Sequence, residues 1–248
     1  MPPDLAAATG VSKRCLISLG GRTLLERMLA LLRETFTDPR IITNLGGDEE
    51  GLEFVALHGA NVTHYCCGGG LLEAVIAGID EFVKEQGAGF CNENLLLVNV
   101  DVPLVTAAHL AELLSKMEEL QADGVWPIVE RKIVQERFPT TKRTYIRTRQ
   151  GTYTGGNIFV VKPRLIRDNH ALLGKALRSR KNPLALASVF SPRILLGVLA
   201  GTVSLSELEE EFSQRFNARL RCLPFPHPEV SVDLDKLSDY ILIKSLLG

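Results

Sequence analysis

The chain has 248 residues, 46% of them hydrophobic and 23% charged, which suffices for one large domain or two small ones with a proper core. The formal net charge of −1 gives no whole-molecule attraction for nucleic acid, so any phosphate affinity must come from a local patch. The apolar runs are shorter than the ~20 residues of a bilayer span, and the first residues lack the order of a secretory signal. These features predict a cytoplasmic protein that binds neither nucleic acid nor membrane.

The five cysteines and five histidines are scattered and show no metal-ligand spacing. We therefore expect reduced, idle thiols, including the adjacent pair Cys66 and Cys67. His109 and His227, each taken alone, are expected to be structural.

Strands and helices alternate in the first half of the chain. Lys13 and Arg14 precede a short apolar strand that turns at Gly20-Gly21. Thr23 and Glu26 fit a capping box that opens a helix to about Thr35. The following predicted elements are strands at 39–44, 53–57 and 60–65, a helix over 71–85 and an apolar strand at 95–100.

The second half begins with Thr106, which is expected to cap a helix to about Leu120. A strand follows at 123–129, and its Pro127 suggests a sheet edge or a bulge. The remaining predicted elements are antiparallel strands within 130–161, helices near 164–178, 184–199 and 204–216, a strand at 229–234 and a helix at 237–247. Ser204 and Glu207 fit a capping box that opens the helix near 204–216. This order predicts an α/β fold with a largely parallel sheet and helices on both faces. We interpret residues 1–248 as a single domain with an embellishment at about 130–216.

Asp101 directly follows the apolar strand 95–100, at the position where open α/β sheets bind ligands. In an extended strand Asp233 and Asp235 would project to one face, so Asp101 with one of this pair could hold Mg²⁺ against phosphates. The alternative is that Asp101 caps a loop and that Asp233 or Asp235 caps the last helix.

Residues 130–157 form a basic segment, and Gly155, Gly156 and Asn157 stand near its end. Cationic side chains there could grip an anionic acceptor or phosphates, the glycines could let the backbone approach a ligand, and Asn157 could offer its amide. A solvated basic hairpin is the alternative. The positively charged residues are Arg131, Lys132, Arg137, Lys142, Arg143, Arg147 and Arg149.

Five segments taken together, in chain order, resemble the MobA-like NTP transferase superfamily. They are KRCLISLGGRTLLERML, NVDVPLVT, FPTTKRTY, GTYTGGN and VDLDKLSDY. The resemblance implies a three-layer α/β/α, Rossmann-like nucleotide-diphospho-sugar transferase fold with a mixed, mostly parallel sheet. It also implies a Mg²⁺-dependent attack by a phosphate of the acceptor on the α-phosphorus of an NTP, with release of pyrophosphate; Mn²⁺ could replace Mg²⁺.

The resemblance assigns roles by position. Asp101 would be the metal-binding aspartate after the central strand, with Asp233, and then Asp235, as the late metal ligand. Gly68 to Glu73, including Gly69 and Gly70, would contact the base, and Gly156-Asn157 would lie near the sugar or the acceptor. The family's phosphate-binding lysine falls on Arg14, with Lys13 one residue earlier; Arg14 keeps the charge but not the shape of a lysine.

The family also begins with a strand and a glycine-rich loop that wraps the triphosphate, and neither is found in the printed sequence. Either the start site is misplaced, which we favour, or the chain is a variant that has lost its triphosphate cradle and, with it, turnover. The in-frame DNA upstream of Met1 would distinguish these interpretations. An exposed sheet edge where the first strand should lie could promote a homodimer.

Three functional hypotheses remain. The first is a nucleotidyltransferase that moves an NMP from an NTP onto a phosphorylated small molecule. The second is a glycosyltransferase that uses a sugar nucleotide, and the third is a nucleotide-binding or regulatory protein without turnover. Release of pyrophosphate, of a nucleoside diphosphate, or of neither separates the three.

Overall fold

The computed structural model describes residues 1–43, 62–64, 70–179 and 189–247. The chain is a mixed α/β protein that divides into two compact units. The first unit contains residues 1–35, 96–161 and 191–248, and the second contains residues 36–95 and 162–190. The predicted α/β class is confirmed; a single domain with an embellishment stays a prediction.

The described helices and strands follow one another in mixed order along the chain. The α-helices are α1 (Pro3–Thr9), α2 (Leu24–Thr35), α3 (Leu71–Gln86), α4 (Ala107–Glu119), α5 (Arg131–Arg137), α6 (Pro163–Asp168), α7 (His170–Ser179), α8 (Pro192–Ala200), α9 (Leu205–Phe216) and α10 (Leu237–Leu247). The strands are β1 (Ser18–Leu19), β2 (Arg22–Thr23), β3 (Ile41–Thr43), β4 (Val62–His64), β5 (Leu95–Val98), β6 (Gly124–Glu130), β7 (Ile146–Arg147), β8 (Thr152–Gly155), β9 (Ile158–Val161) and β10 (Leu220–Pro224).

A six-stranded sheet is built around β6. Its order is β5-β9-β6-β8-β7, and β10 also pairs with β6. Strands β8 and β9 both run antiparallel to β6, and β7 runs antiparallel to β8, whereas β10 is parallel to β6. The prediction of a mostly parallel sheet is therefore wrong. Strand direction depends on partners that are distant in the sequence, which local patterns do not encode.

Pro127 lies within the central strand β6 and not at a sheet edge, and the predicted bulge is found in the segment opposite it: three steps along β6, from Val125 to Ile128, face five steps along its partner, from Gly155 to Val160. Along one side of β6, Gly124 and Val125 pair with β9, and pairing with β8 begins at Ile128. Pro127 stands where one partner gives way to the other, and its carbonyl accepts the backbone N–H of Gly156 at 2.8 Å. The missing N–H of proline is tolerated here because the extra residues of the bulge interrupt the regular pairing opposite Pro127.

An apolar cluster in the first unit joins segments from both ends of the chain. Its buried members are Leu5, Ile17, Leu19, Leu24, Phe138, Val232, Leu234 and Ile243. The residues around Arg14 and those around Asp233 are thus anchored on a common core. Each fully buried aliphatic side chain of this kind contributes ~1.5–3 kcal/mol to folding.

The predicted helix starts are confirmed by their hydrogen bonds. The Glu26 carboxylate accepts the Thr23 backbone N–H at 2.6 Å, and the Glu26 N–H donates to the Thr23 hydroxyl at 3.1 Å. Ser204 and Glu207 form the same reciprocal pair at the start of α9, and Thr106 caps α4. Reciprocal caps satisfy amides that would otherwise lack intrahelical partners.

In the second unit, β3 pairs parallel with β4. Gly78 of α3 lies against Ile42, since a Cβ at this glycine would be 3.5 Å from an Ile42 methyl group. Phe82 of α3 stacks on Phe90 with ring centroids 4.8 Å apart.

Some element predictions differ from the structure. Residues 228–231 form a 3₁₀ turn and 232–235 are irregular, so the predicted strand 229–234 is wrong, and the late strand is β10 instead. Helices α1 and α5 were not predicted. The predicted strand 53–57 and the start of the predicted helix 184–199 lie outside the described residues. Within the described parts of the chain, no helix is both long and apolar enough to cross a membrane.

Candidate active site

The guanidinium of Arg14 links two of the predicted acidic residues. Its Nη1 donates to Oδ2 of Asp101 at 2.6 Å, and its Nη2 donates to Oδ1 of Asp235 at 2.6 Å. The Asp101 side chain is 10% exposed, whereas that of Asp235 is 60% exposed. The positively charged Arg14 guanidinium therefore lies between a buried carboxylate and an exposed one.

Asp233 has a different arginine partner. The Arg143 Nη1 forms a close ion pair with Oδ1 of Asp233, and both side chains are largely buried. The backbone N–H of Leu234 donates to the carbonyl of Asp101 at 2.8 Å, which holds the late acidic segment beside the mid-chain loop. Although residues 232–235 do not form a strand, the structure brings both late aspartates to the neighbourhood of Asp101.

Burial is the main influence on the ionisation of Asp101. It raises the pKa of this carboxyl above its ordinary value, and the charge of Asp233 adds to the rise, while the hydrogen bond from Arg14 opposes it. For Arg14, burial lowers the pKa, but Asp101 and the two late aspartates more than compensate, so its pKa is raised. The guanidinium is a permanent positive charge here, and it neutralises the carboxylates around it.

Several buried polar atoms of the first unit have no hydrogen-bond partner among the described residues. They are Oδ1 of Asp101, Nε of Arg14, Nε of Arg143, the hydroxyl of Tyr145 and Nδ2 of Asn157. An unpaired buried polar group costs ~1–3 kcal/mol unless a ligand, ion or water satisfies it. All but the first can donate a hydrogen bond, as an anionic ligand requires, and the free Asp101 oxygen suits a cation.

The donor set of the aspartate cluster, defined as Asp101, Asp233 and Asp235, fits a hard divalent cation. Mg²⁺ takes oxygen ligands, commonly one or two carboxylates with water and substrate phosphates completing its shell. The unpaired Oδ1 of Asp101 and the exposed carboxylate of Asp235 could provide these ligands. Arg14 binds Oδ2 of Asp101 and Oδ1 of Asp235, so a bound cation and the guanidinium would compete for the same two carboxylates.

The alternative role considered for Asp233 and Asp235, capping the last helix, is filled by Asp239. Oδ2 of Asp239 accepts the backbone N–H groups of Asp235 at 3.2 Å and Lys236 at 3.1 Å. Asp239 is itself buried at the start of α10, and the side chain of Asp235 pairs with Arg14 instead.

The two neighbouring glycines have packing reasons for being glycine. A Cβ on Gly155 would overlap the indole ring of Trp126, and one on Gly156 would lie 3.0 Å from Cγ of Pro127. The Trp126 Nε1 donates to the Gly156 carbonyl at 3.0 Å. A ligand role for these glycines stays a prediction.

Asn157 connects both segments that carry the aspartates. Its carbonyl accepts the Asn99 N–H at 3.4 Å, and its N–H donates to the Val230 carbonyl at 2.8 Å. Because its side-chain Nδ2 is buried and unpaired among the described residues, this amide is available to a ligand.

The basic segment does not form one positive patch. Arg143 pairs with Asp233, Arg137 lies 3.6 Å from Glu229, and Arg149 lies 3.5 Å from Glu207. Arg131 and Lys132 border a shallow depression of about 530 Å³ with Glu130, Gln135, Glu136 and Gly151, and no member of the aspartate cluster lines it. Lys142 is exposed. The segment thus supplies separate partners for separate acidic groups.

The MobA-like NTP transferase domain family matches residues 8–194. The chain belongs to this family. A hypothetical transferase from Thermus thermophilus shares 32% sequence identity with it at a TM-score of 0.76, with 94% of this chain and 93% of that chain covered. No curated protein matches the sequence.

Two more distant solved structures share the fold of this MobA-like NTP transferase domain. A 4-diphosphocytidyl-2C-methyl-D-erythritol synthase is 13% identical, with a TM-score of 0.59 and 94% of both chains covered. A CMP:2-keto-3-deoxy-manno-octonic acid synthetase complexed with CTP is 10% identical, with a TM-score of 0.59. The match covers 96% of this chain and 94% of that chain.

Of the predicted base-binding residues, Gly69 lies outside the described residues, whereas Gly70 and Glu73 belong to the second unit. Gly70 is the residue before α3. Oε2 of Glu73 folds back over this helix start, 2.9 Å from the place of a Cβ on Gly70. Their role in binding a base stays a prediction.

Lys13 is half-buried and directly precedes the 3₁₀ turn Arg14–Leu16. Arg14 is the first residue of this turn, and its guanidinium contacts the carboxylates of Asp101 and Asp235. Sequence reasoning overlooked Tyr145, whose buried hydroxyl has a raised pKa because of burial. Its place in the motif FPTTKRTY, two residues after Arg143, was the available signal.

Proposed function

We propose that this MobA-like NTP transferase domain moves a nucleoside monophosphate from an NTP onto a phosphorylated small molecule and releases pyrophosphate. The observation that carries the proposal is the meeting of Asp101, Asp235 and Asp233 around Arg14, with one buried oxygen of Asp101 unpaired among the described residues. Carboxylates beside a cation are the groups that phosphoryl chemistry requires for positioning a metal and neutralising charge.

In the proposed reaction, a phosphate oxygen of the acceptor attacks the α-phosphorus of the NTP. The bond between the α-phosphorus and its bridging oxygen to the β-phosphate breaks, and pyrophosphate carries the electron pair away. No protein side chain forms a bond to phosphorus. Nucleophile and leaving group are both phosphate oxygens, so the main demands on the protein are alignment and charge neutralisation.

Each residue has a proposed task. Asp101 and Asp235, with Asp233, would hold a divalent cation, Mg²⁺ or Mn²⁺, which when bound supplies positive charge to the phosphates. Arg14 would turn from the carboxylates to a phosphate oxygen, since a guanidinium binds either anion. Arg143, Tyr145 and Asn157 would donate hydrogen bonds to the acceptor or the sugar through donors that are now unpaired.

A turnover assay tests the proposal. The purified chain is incubated with each of the four NTPs, Mg²⁺ and a panel of phosphorylated sugars and alcohols, and pyrophosphate release is measured. We expect release that depends on one NTP and one acceptor class, and its loss in Asp101→Asn. Glu119→Gln is the matched control, because Glu119 is an exposed carboxylate paired with Lys116.

The same assay distinguishes the other hypotheses. Release of a nucleoside diphosphate from a sugar nucleotide would indicate a glycosyltransferase. NTP binding by calorimetry without product formation, in a chain whose Asp101→Asn variant binds equally well, would indicate a nucleotide-binding protein and would contradict the proposed role of the aspartate cluster.

A further inference from the structure

Two histidines from distant parts of the first unit meet with a glutamate outside the aspartate cluster. His109 is the third residue of α4, and His227 and Glu229 flank Pro228 at the start of the 3₁₀ turn 228–231. One ligand atom from each of His109, His227 and Glu229 lies within 4.8 Å of the others, and all three residues are half-buried. The imidazole centroids are 4.5 Å apart and the rings are tilted by 32°.

These donors differ in kind from those of the aspartate cluster. Two imidazole nitrogens and one carboxylate oxygen suit borderline cations such as Zn²⁺, Co²⁺ or Ni²⁺, whereas Mg²⁺ favours oxygen alone. In a tetrahedral zinc site the donor atoms lie about 3.3 Å apart. A spacing of at most 4.8 Å therefore needs only small side-chain rotations to close on an ion.

Glu112 holds the ring of His227. The His227 Nε2 lies 2.8 Å from Oε2 of Glu112. A ring that donates its Nε2–H to a carboxylate carries a lone pair on Nδ1, and this is the arrangement that orients histidines bound to metals. Phe225 packs edge-on against the same ring with centroids 4.9 Å apart, which further restricts its rotation.

Two existing contacts would have to change when an ion binds. The Nδ1 of His109 accepts the Thr106 backbone N–H at 3.2 Å; ligation through Nε2 requires a proton on Nδ1 and would release that amide. Thr106 is exposed, so water can take over the bond. Arg137 lies 3.6 Å from Glu229, but its side chain is 60% exposed and is free to move into solvent.

We infer that His109, His227 and Glu229 form a binding site for a transition-metal cation, with Zn²⁺ as the ion of choice, and that Glu112 positions the ring of His227. This site goes beyond the proposed nucleotidyl transfer and uses none of its residues. Its ligands lie on the helix that follows the Asp101 loop and on the turn that precedes Asp233. A bound ion would therefore join the two segments that carry the aspartate cluster.

The test is a metal titration of the full chain after chelation and removal of the chelator. Co²⁺ is added first, because its absorption spectrum reports nitrogen ligation and tetrahedral geometry, and Zn²⁺ affinity is then measured by calorimetry. Cys66 and Cys67 are replaced by serine throughout, since adjacent thiols also bind these ions. We expect one ion per chain with a tetrahedral Co²⁺ spectrum.

Variants assign the ligands. His109→Ala, His227→Ala and the isosteric Glu229→Gln should each weaken Zn²⁺ binding by about 100-fold or more, and Glu112→Gln by about 10–100-fold. His170→Ala is the matched control, because His170 is exposed at the start of α7. Far-UV circular dichroism checks that each variant is folded, and Glu229→Gln preserves shape if a histidine variant is not.

The inference is wrong if the chain binds no Zn²⁺ under these conditions. It is equally wrong if a folded Glu229→Gln or histidine variant binds Zn²⁺ as tightly as the parent. Loss of Zn²⁺ binding in these variants but not in His170→Ala supports it, whether or not the chain turns over an NTP.

Discussion

The aspartate cluster and the histidine cluster, defined as His109, His227 and Glu229, present two different sets of ligand atoms within one compact unit. In the first, a guanidinium lies between oxygen ligands, and each of the carboxylates of Asp101, Asp233 and Asp235 is paired with an arginine. In the second, two imidazoles lie beside the carboxylate of Glu229, which is 3.6 Å from the exposed side chain of Arg137. We therefore expect the aspartate cluster, with its internal guanidinium, to release a cation readily, and the histidine cluster, with its imidazole ligands, to retain one.

The largest expected effect separates the two clusters completely. Asp101→Asn should lower pyrophosphate release by about 10²–10³-fold or more, because the variant lacks a charge that holds the cation against the phosphates. In calorimetry the same variant should bind Zn²⁺ as tightly as the parent. His227→Ala should lose Zn²⁺ affinity and keep its rate of pyrophosphate release. A parallel loss of both properties in either variant would mean that the clusters act as one site.

Removal of the Arg14 guanidinium should make the carboxylates of the aspartate cluster more accessible to a metal ion. Without nucleotide, Arg14→Ala should bind Mn²⁺ about 10-fold more tightly, since a charge-assisted hydrogen bond worth ~1.5 kcal/mol no longer competes for Asp101. Turnover should nevertheless fall, because the phosphates lose a partner. Electron paramagnetic resonance of free Mn²⁺ measures the affinity, and Arg193→Ala, at an exposed arginine, is the control. Unchanged Mn²⁺ affinity would show that Arg14 does not compete.

A substitution at Gly155 distinguishes a packing role of this glycine from a ligand-binding role. Gly155→Ala should lower the free energy of unfolding by ~1–3 kcal/mol, because the new methyl group overlaps Trp126. Urea denaturation measures the change, and Gly89→Ala is the control, since a Cβ there meets no atom within 4 Å. If Gly155→Ala kept full stability and lost only nucleotide affinity, the glycine would serve the ligand.

The smallest expected effect compares two helix caps. Ser204→Ala should cost ~1 kcal/mol of stability, because it removes a hydroxyl that accepts the Glu207 backbone N–H at 3.1 Å and donates to the Glu207 carboxylate at 2.9 Å. Thr106→Ala should cost less, since its hydroxyl accepts the His109 backbone N–H over a longer distance of 3.5 Å. Thermal unfolding after chelation measures both. A larger loss for Thr106→Ala than for Ser204→Ala would contradict this ranking of the two caps.

Local signals in the sequence were reliable where a few neighbouring residues determine the structure. The capping boxes at Thr23 and Ser204 are closed by residues three positions away. Asp101 also follows β5, as its apolar run predicted. The family resemblance, which drew on motifs spread over the whole chain, is confirmed as well.

Non-local features were missed for physical reasons. Val232 and Leu234 are almost completely buried, so the apolar alternation around Asp233 is real, but it belongs to an irregular segment packed on the core. A strand needs a neighbour to pair with, and the pattern does not say whether one exists. The meeting of His109 with His227 likewise depends on how the chain returns to α4, which their spacing in the sequence does not reveal.

The bond between the Leu234 amide and the Asp101 carbonyl has an evolutionary consequence. It uses main-chain atoms alone, so position 234 can drift among apolar residues of similar volume while the mid-chain acid and the late acids keep their alignment. Proline is the exception, because it has no amide hydrogen to donate. Homologous sequences should therefore vary at this position yet avoid proline wherever the acids persist.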